Sequence, residues 1–330
     1  MMNIFRMSVV LAAIVAVVLA GCATEDPLAP TGTKPPAPTG NMVQSVNETS
    51  VRLKWTIPSI TADVTGYELM AIEVVTAGTP TERLVPVSGA GATSGVIDGL
   101  IEGKIYKFMV HAMNKTVRSD ASNEVVWAPA RRGTGTYKLY SALNTTNGSG
   151  LGIFNQAAGP SVLKIADGGK WDICFDDRQA PSDPRISSPG QSDYVNGATV
   201  KFPNGDDARI IYWGKQYAGI TSLDDIYETD ALSVPASGGE KFYSINSIGG
   251  TANWGSVIAW KDESTTPASF WYAKVVMSRT GSNFVQGTGA SSFIEVSISY
   301  QNVKNLPYAV KQRIENFIQV EQARRSTPVK

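Results

Sequence analysis

The sequence predicts a mainly β protein: an N-terminal β-sandwich, a second β-rich, sandwich-like domain, and a C-terminal α-helix. Three observations carry that expectation. Apolar residues alternate at period two in many short runs, of which Tyr106, Phe108, Val110 and Ala112 form one and Ile294, Val296, Ile298 and Tyr300 another. The 31 glycines and 18 prolines punctuate these runs, as turns between short strands require. Only after Leu306-Pro307 does the period become helical, with Val310, Ile314, Phe317 and Glu321 recurring on one face and Ile318 beside them. The 330 residues suffice for two domains, each large enough to bury its own core. The 29 basic and 29 acidic residues cancel without a Lys/Arg-rich block, which removes the electrostatic footprint of a nucleic-acid binder.

Residues 1–21 read as a signal peptide. Arg6 precedes an apolar run from Met7 to Leu19, about 13 residues long and so shorter than the ~20 that span a bilayer as a helix. Leu19-Ala20-Gly21-Cys22 resembles the bacterial lipobox, which implies acylation of Cys22 as the mature N-terminus and a membrane partner reached through the lipid anchor. Ala23-Thr24-Glu25-Asp26 resembles the surface-export signal of lipoproteins in Bacteroidetes-type bacteria, so the expected location is the cell envelope, at the outer membrane with surface display. Residues 22–35, with Pro, Thr and Gly and almost nothing apolar, read as a lipidated tether.

Residues 36–130 carry the first sandwich, with about seven strands in about ninety residues. Val51, Leu53 and Trp55 share one strand face, and Tyr67 and Leu69 begin another strand after Gly66. The Pro36-Ala37-Pro38 start, Val51-x-Leu53-x-Trp55, Gly66-Tyr67-Glu68-Leu69, Leu100-x-x-Gly103-x-x-Tyr106-x-Phe108-x-Val110-x-Ala112 and Ser119-x-x-Ser122-Asn123 together resemble a fibronectin type III module from end to end. That resemblance implies Trp55 as core tryptophan and Tyr106 as the corner tyrosine whose hydroxyl ties the sandwich together. The fold hosts spacers, adhesion modules and binding domains alike, and no Arg-Gly-Asp tripeptide is present.

Residues 131–135 read as the linker, having two arginines and two glycines and no apolar side chain. In the second domain, 136–306, strands are expected at 137–143, 162–165, 171–175, 199–202, 208–213, 241–245, 256–260, 270–277 and 293–300, with the Gly-rich loop 278–290 joining the last two as a hairpin. Residues 307–330 form the helix and tail. Gly169 to Phe175, the loop Ile186 to Gly190, and Tyr272-Ala273-Lys274-Val275 resemble the HmuY-like haem-binding lipoproteins. The resemblance implies a β-rich, lipid-anchored fold and a haem held by axial histidines or methionines. Residues 136–330 contain no histidine and one methionine, Met277, so the ligand set is missing and no cofactor is expected.

Chemistry is constrained by a single histidine, His111, placed in the first sandwich, so neither a His-containing triad nor a His-rich metal site can be assembled in the second. Two cysteines exist; with Cys22 acylated, Cys174 has no disulfide partner and reads as a small buried strand residue. Asp176-Asp177, Asp206-Asp207 and Asp224-Asp225 read as solvated turn residues, with a calcium-holding loop or catalytic acids as alternatives. No catalytic residues and no metal site are therefore assigned, and the chain reads as non-enzymatic. Of Trp171, Trp213, Trp254, Trp260 and Trp271, Trp254 stands between Asn253 and Gly255 in a turn-like context and is expected near the surface, where a ring can stack on a sugar. The proline-rich stretch 176–197 reads as a long binding loop, offering Arg178, Arg185, Gln191 and Tyr194. The leading expectation is an envelope lipoprotein presenting a binding or scaffolding domain on a spacer, its partner an envelope protein or a polysaccharide. The alternatives are a HmuY-like small-ligand or haem binder and a polysaccharide-binding accessory protein.

Overall fold

The computed structural model describes residues 32–59, 63–75, 77–154, 159–164, 171–177, 183–187, 194–195, 198–199, 209–227, 242–262 and 269–303. The signal peptide, Cys22, most of the tether and the expected C-terminal helix lie outside the described residues.

The first sandwich is built from β1 (Thr39–Asn47), β2 (Ser50–Thr56), β3 (Gly66–Glu73), β4 (Glu82–Ser88), β5 (Ser94–Ile97), β6 (Tyr106–Asn114), β7 (Val117–Arg118) and β8 (Val125–Trp127). One sheet has the order β1-β2-β5, the other β4-β3-β6-β7 with β8 also paired to β6. The period-two alternation is realised on β2, where Val51, Leu53 and Trp55 are buried while Lys54 and Thr56 face water. Trp55 packs on Tyr67 with ring centroids 5.0 Å apart. The Tyr106 hydroxyl accepts the Ile101 backbone N–H at 3.1 Å, the corner tie expected of it. His111 is buried on β6, its Nδ1 2.9 Å from the Ser119 carbonyl.

The second domain continues with β9 (Arg131–Arg132), β10 (Tyr137–Tyr140), β11 (Gly150–Gly152), β12 (Ser161–Leu163), β13 (Ile173–Asp176), β14 (Arg185–Ser187), β15 (Tyr194–Val195), β16 (Ala198–Thr199), β17 (Arg209–Ile220), β18 (Phe242–Ser244), β19 (Asn253–Asp262), β20 (Ser269–Ser278) and β21 (Phe293–Tyr300). A sheet of order β10-β21-β20-β19-β17, with β9 added beside β21, faces a sheet of order β12-β11-β13-β14-β18. Between them Leu139, Ile258, Trp260, Val275 and Ile294 from the first pack with Leu151, Ile173, Phe175 and Ile186 from the second. Cys174 is fully buried and packs with Trp171, Ala142 and Leu163.

Three expectations are corrected here. The linker 131–135 is not a free joint: Arg131 and Arg132 pair in register with Tyr300 and Ser299, and the Arg131 guanidinium forms a two-pronged bond to Glu102, at 2.5 and 2.7 Å. The stretch 176–197 is not one long loop, because β14 and β15 interrupt it. Asp224 and Asp225 are not merely solvated turn residues. In the single 3-10 turn Leu223–Asp225, the Ser222 hydroxyl accepts the Asp224 N–H while the Asp225 carboxylate accepts the Ser222 and Thr221 N–H groups. Those bonds hold the Asp225 carboxyl below its ordinary value.

That turn joins the two domains. Because β19 and β20 carry near-continuous apolar runs, their sheet has an apolar outer face as well as an inner one. Val257, Ala259, Tyr272 and Val276 on that outer face, with Ile220, Leu223 and Ile226, share one apolar cluster with the core of the first sandwich. Gln44 donates to the Leu223 carbonyl at 3.3 Å, and Asp224 is paired with Arg132 at 2.5 Å and Arg52 at 3.5 Å. Burial alone would raise the Asp224 carboxyl; the Arg132 hydrogen bond and the charges of Arg132, Arg52 and Lys274 together outweigh it and hold the group below its ordinary value. Lys274, fully buried on the outer face, donates to the Ile226 carbonyl at 2.9 Å.

Candidate ligand-binding cavity

At the end of the second sandwich where β20 turns into β21 lies a cavity of about 1010 Å³. Residues 279–292 form one wall, a hairpin loop pinned by isolated bridges between Thr280 and Asn283 and between Gln286 and Phe293. Gly287 is required there: its φ is +75°, and a Cβ would stand 2.6 Å from the Ser291 carbonyl oxygen. Ile245, Asn246 and Ile248, following β18, form the facing wall, with Phe175 and Asp177 at the end of β13. Leu143, Ile248 and Val285 give the cavity its accessible apolar lining, over the buried Phe175, Ile245 and Phe284.

Among the described residues, two charged side chains line it. Asp177 is committed to structure, its Oδ1 accepting the Ala142 N–H at 3.1 Å and its Oδ2 the Ser292 hydroxyl at 3.2 Å. Arg279 stands with its guanidinium carbon 3.8 Å from the Phe284 ring centre, donating to the carbonyls of Ser282 at 2.5 Å, Ile248 at 3.1 Å and Gly249 at 3.4 Å. Its Nε is buried without a hydrogen-bond partner, and among the described residues no carboxylate lies within ion-pair distance. Arg279 is the only charged residue between Lys274 and Glu295, a signal in the sequence that the hairpin reading passed over.

Those of the residues singled out from sequence that are described are not gathered at this cavity. Trp254 is 2% exposed rather than at the surface, sits in the inter-sheet core and stacks on Tyr243 at 4.8 Å, so it is no sugar platform. Trp171 and Trp260 are likewise buried, and Trp213 lies on β17. Arg185 lies on β14 with Asp183 at 2.5 Å, an internal ion pair rather than a loop contact. Burial would raise the Asp183 carboxyl, but the Ser244 hydroxyl and Arg185 hold it below its ordinary value. Tyr194 lies on β15, paired with Thr199, and Arg178 lies outside the described residues. Met277 is fully buried in the inter-sheet core. Among the described residues no group of three or more His, Cys, Asp or Glu side chains could hold a metal ion.

Residues 36–128 match the family model of the fibronectin type III domain. This segment is a fibronectin type III domain. Similar solved structures include the FN5 domain of Drosophila Lar, at 21% identity over 29% of this chain and 96% of that one, with a TM-score of 0.25. The third fibronectin III domain of the human KIAA0343 protein matches at 21% identity over 34% of this chain and 96% of its own, with a TM-score of 0.28. A fibronectin type III domain of human collagen XX matches at 24% identity over 30% and 97%, with a TM-score of 0.24. The fibronectin type III domain packs on the outer face of the sheet that carries β19 and β20, and part of its contact lies at the end of β21 away from the cavity. Gln301, just after β21, donates to the carbonyls of Ala128 and Pro129 at 3.4 Å, whereas the other end of that strand borders the cavity.

Proposed function

We propose that the chain is a non-enzymatic cell-envelope lipoprotein, acylated at Cys22, in which the fibronectin type III domain presents a second sandwich that binds a small organic molecule at its outer end. The observation that carries this reading is the cavity of about 1010 Å³, which sets the apolar side chains of Leu143, Ile248 and Val285 beside polar ones that include Arg279, the mixture by which a small-molecule site holds and orients a ligand. Its position supports presentation. The eight residues of β21 separate it from the junction at Ala128 and Pro129, and at ~3.4 Å per residue that is roughly 27 Å. The burial of Trp254 favours this reading over a polysaccharide platform.

Native mass spectrometry of protein released from washed envelopes tests both halves. The expected result is an acylated N-terminal Cys22 and a stoichiometric small-molecule adduct that is lost in Ile248→Trp, where the larger ring fills the cavity wall. An unacylated product in the soluble fraction would sink the anchor, and an adduct that survives Ile248→Trp would sink the site.

A further inference from the structure

We infer that this cavity takes an amphipathic organic anion, its acidic group on Arg279 and its apolar body against Leu143, Ile248 and Val285. The inference rests on the binding role just proposed and adds the class of ligand. Three carbonyl oxygens orient the Arg279 guanidinium but bring no negative charge, so the cation is held without being neutralised. Its position over the Phe284 ring fixes the plane and shields one face from water. The three carbonyl bonds leave one Nη1 hydrogen of the guanidinium without an acceptor among the described residues, the donor that an incoming oxyanion would take.

Asp177 does not offset this surplus of donors. Each of its oxygens already accepts a hydrogen bond from the protein, so it closes the Ala142 and Ser292 corner instead of offering a site to a cationic ligand. A neutral apolar ligand would leave Arg279 buried beside it without a counter-charge, and a cation would be repelled. An oxyanion on a hydrophobic body satisfies both the guanidinium and the apolar lining.

The test uses two fluorescent probes with the same aromatic body: 8-anilinonaphthalene-1-sulfonate, an anion, and N-phenyl-1-naphthylamine, which lacks the sulfonate. The wild-type chain is expected to bind one equivalent of the sulfonate about tenfold more tightly than the neutral probe, the scale of one charge-assisted contact. Arg279→Gln should remove that advantage and leave the neutral probe unchanged, and Arg279→Lys should restore part of it. Because Arg279 also staples the loop, a measurement on the unmodified chain stands beside the variants: added salt should weaken the sulfonate and not the neutral probe. Equal affinities for the two probes, or sulfonate binding indifferent to Arg279→Gln and to salt, would overturn the anion assignment while leaving the cavity a binding site. Failure of either probe to bind at one equivalent would overturn the binding role itself.

Discussion

Leu223 is the side chain on which the union of the two domains can be tested most directly. It is 7% exposed and belongs to the apolar cluster shared by the fibronectin type III core and the outer face of the second sandwich. Leu223→Ala removes about three carbon groups from that cluster, worth ~2.4 kcal/mol at ~0.8 kcal/mol per buried CH₂. The space left behind is walled by strands that cannot collapse into it freely, which raises the cost to about 3–4 kcal/mol. For a cooperative unit of this size each kcal/mol moves the thermal midpoint by roughly 2–4 °C, so a fall of about 6–16 °C is expected. Differential scanning calorimetry should show one transition for the wild-type chain and, with the joint weakened, a lower and broader or split transition for Leu223→Ala. Leu84→Ala, at a side chain 44% exposed, is the control and should move the midpoint by no more than about 1–2 °C. Two separate transitions in the wild-type chain, or a Leu223→Ala midpoint within about 2 °C of it, would refute a shared core.

Other outcomes follow from single contacts. Trp254→Ala should cost about 3–5 kcal/mol by chemical denaturation, because the ring fills the inter-sheet core against Tyr243, and should leave any affinity for polysaccharide beads unchanged. Asp224→Asn should destabilise by about 1 kcal/mol at neutral pH, a modest figure because the carboxylate is 42% exposed. Since the folded Asp224 carboxyl lies below its ordinary value of 3.8, its contribution is present above that value and lost as pH falls through the lower folded one; denaturation midpoints of wild type and variant should converge on acidification. Tyr106→Phe should cost about 1 kcal/mol by leaving the Ile101 N–H without its acceptor, read as a shift in the urea midpoint at unchanged slope.

The fibronectin type III domain was legible because its strands are half buried: alternation on β2 and β6 states which face each residue occupies, and Tyr106 and Trp55 follow from position. The strand pairing of β20 and β21 across a Gly-rich hairpin was legible for the same reason. Trp254 was misread because Asn253 and Gly255 resemble a turn. In the fold Gly255 lies within a central strand, where a Cβ would stand 2.7 Å from Ile220 and Ile226 side chains and 2.9 Å from the Val275 oxygen. That glycine marks close packing of the segment crossing the sheet, a long-range fact with no local signature. Arg185 was misread through its prolines: Pro184 precedes β14 without breaking it, and Asp183, itself held by the Ser244 hydroxyl, pairs with the charge from outside the strand. Arg279 and Asp177 meet at one cavity from loops about a hundred residues apart, and no spacing rule connects them.

The joint changes what the fibronectin type III domain can do for the cavity. A spacer on a flexible linker would let the second sandwich turn freely. Instead β9 is part of the sheet, Arg131 is clamped to Glu102, and Arg132 reaches both Asp224 and the Ser45 carbonyl. Swinging the domains apart would break these bonds and expose Leu223, Val257 and Tyr272 together, a cost no flexible joint carries. The first domain is therefore braced against the second, and the direction in which the cavity opens is fixed relative to the fibronectin type III domain.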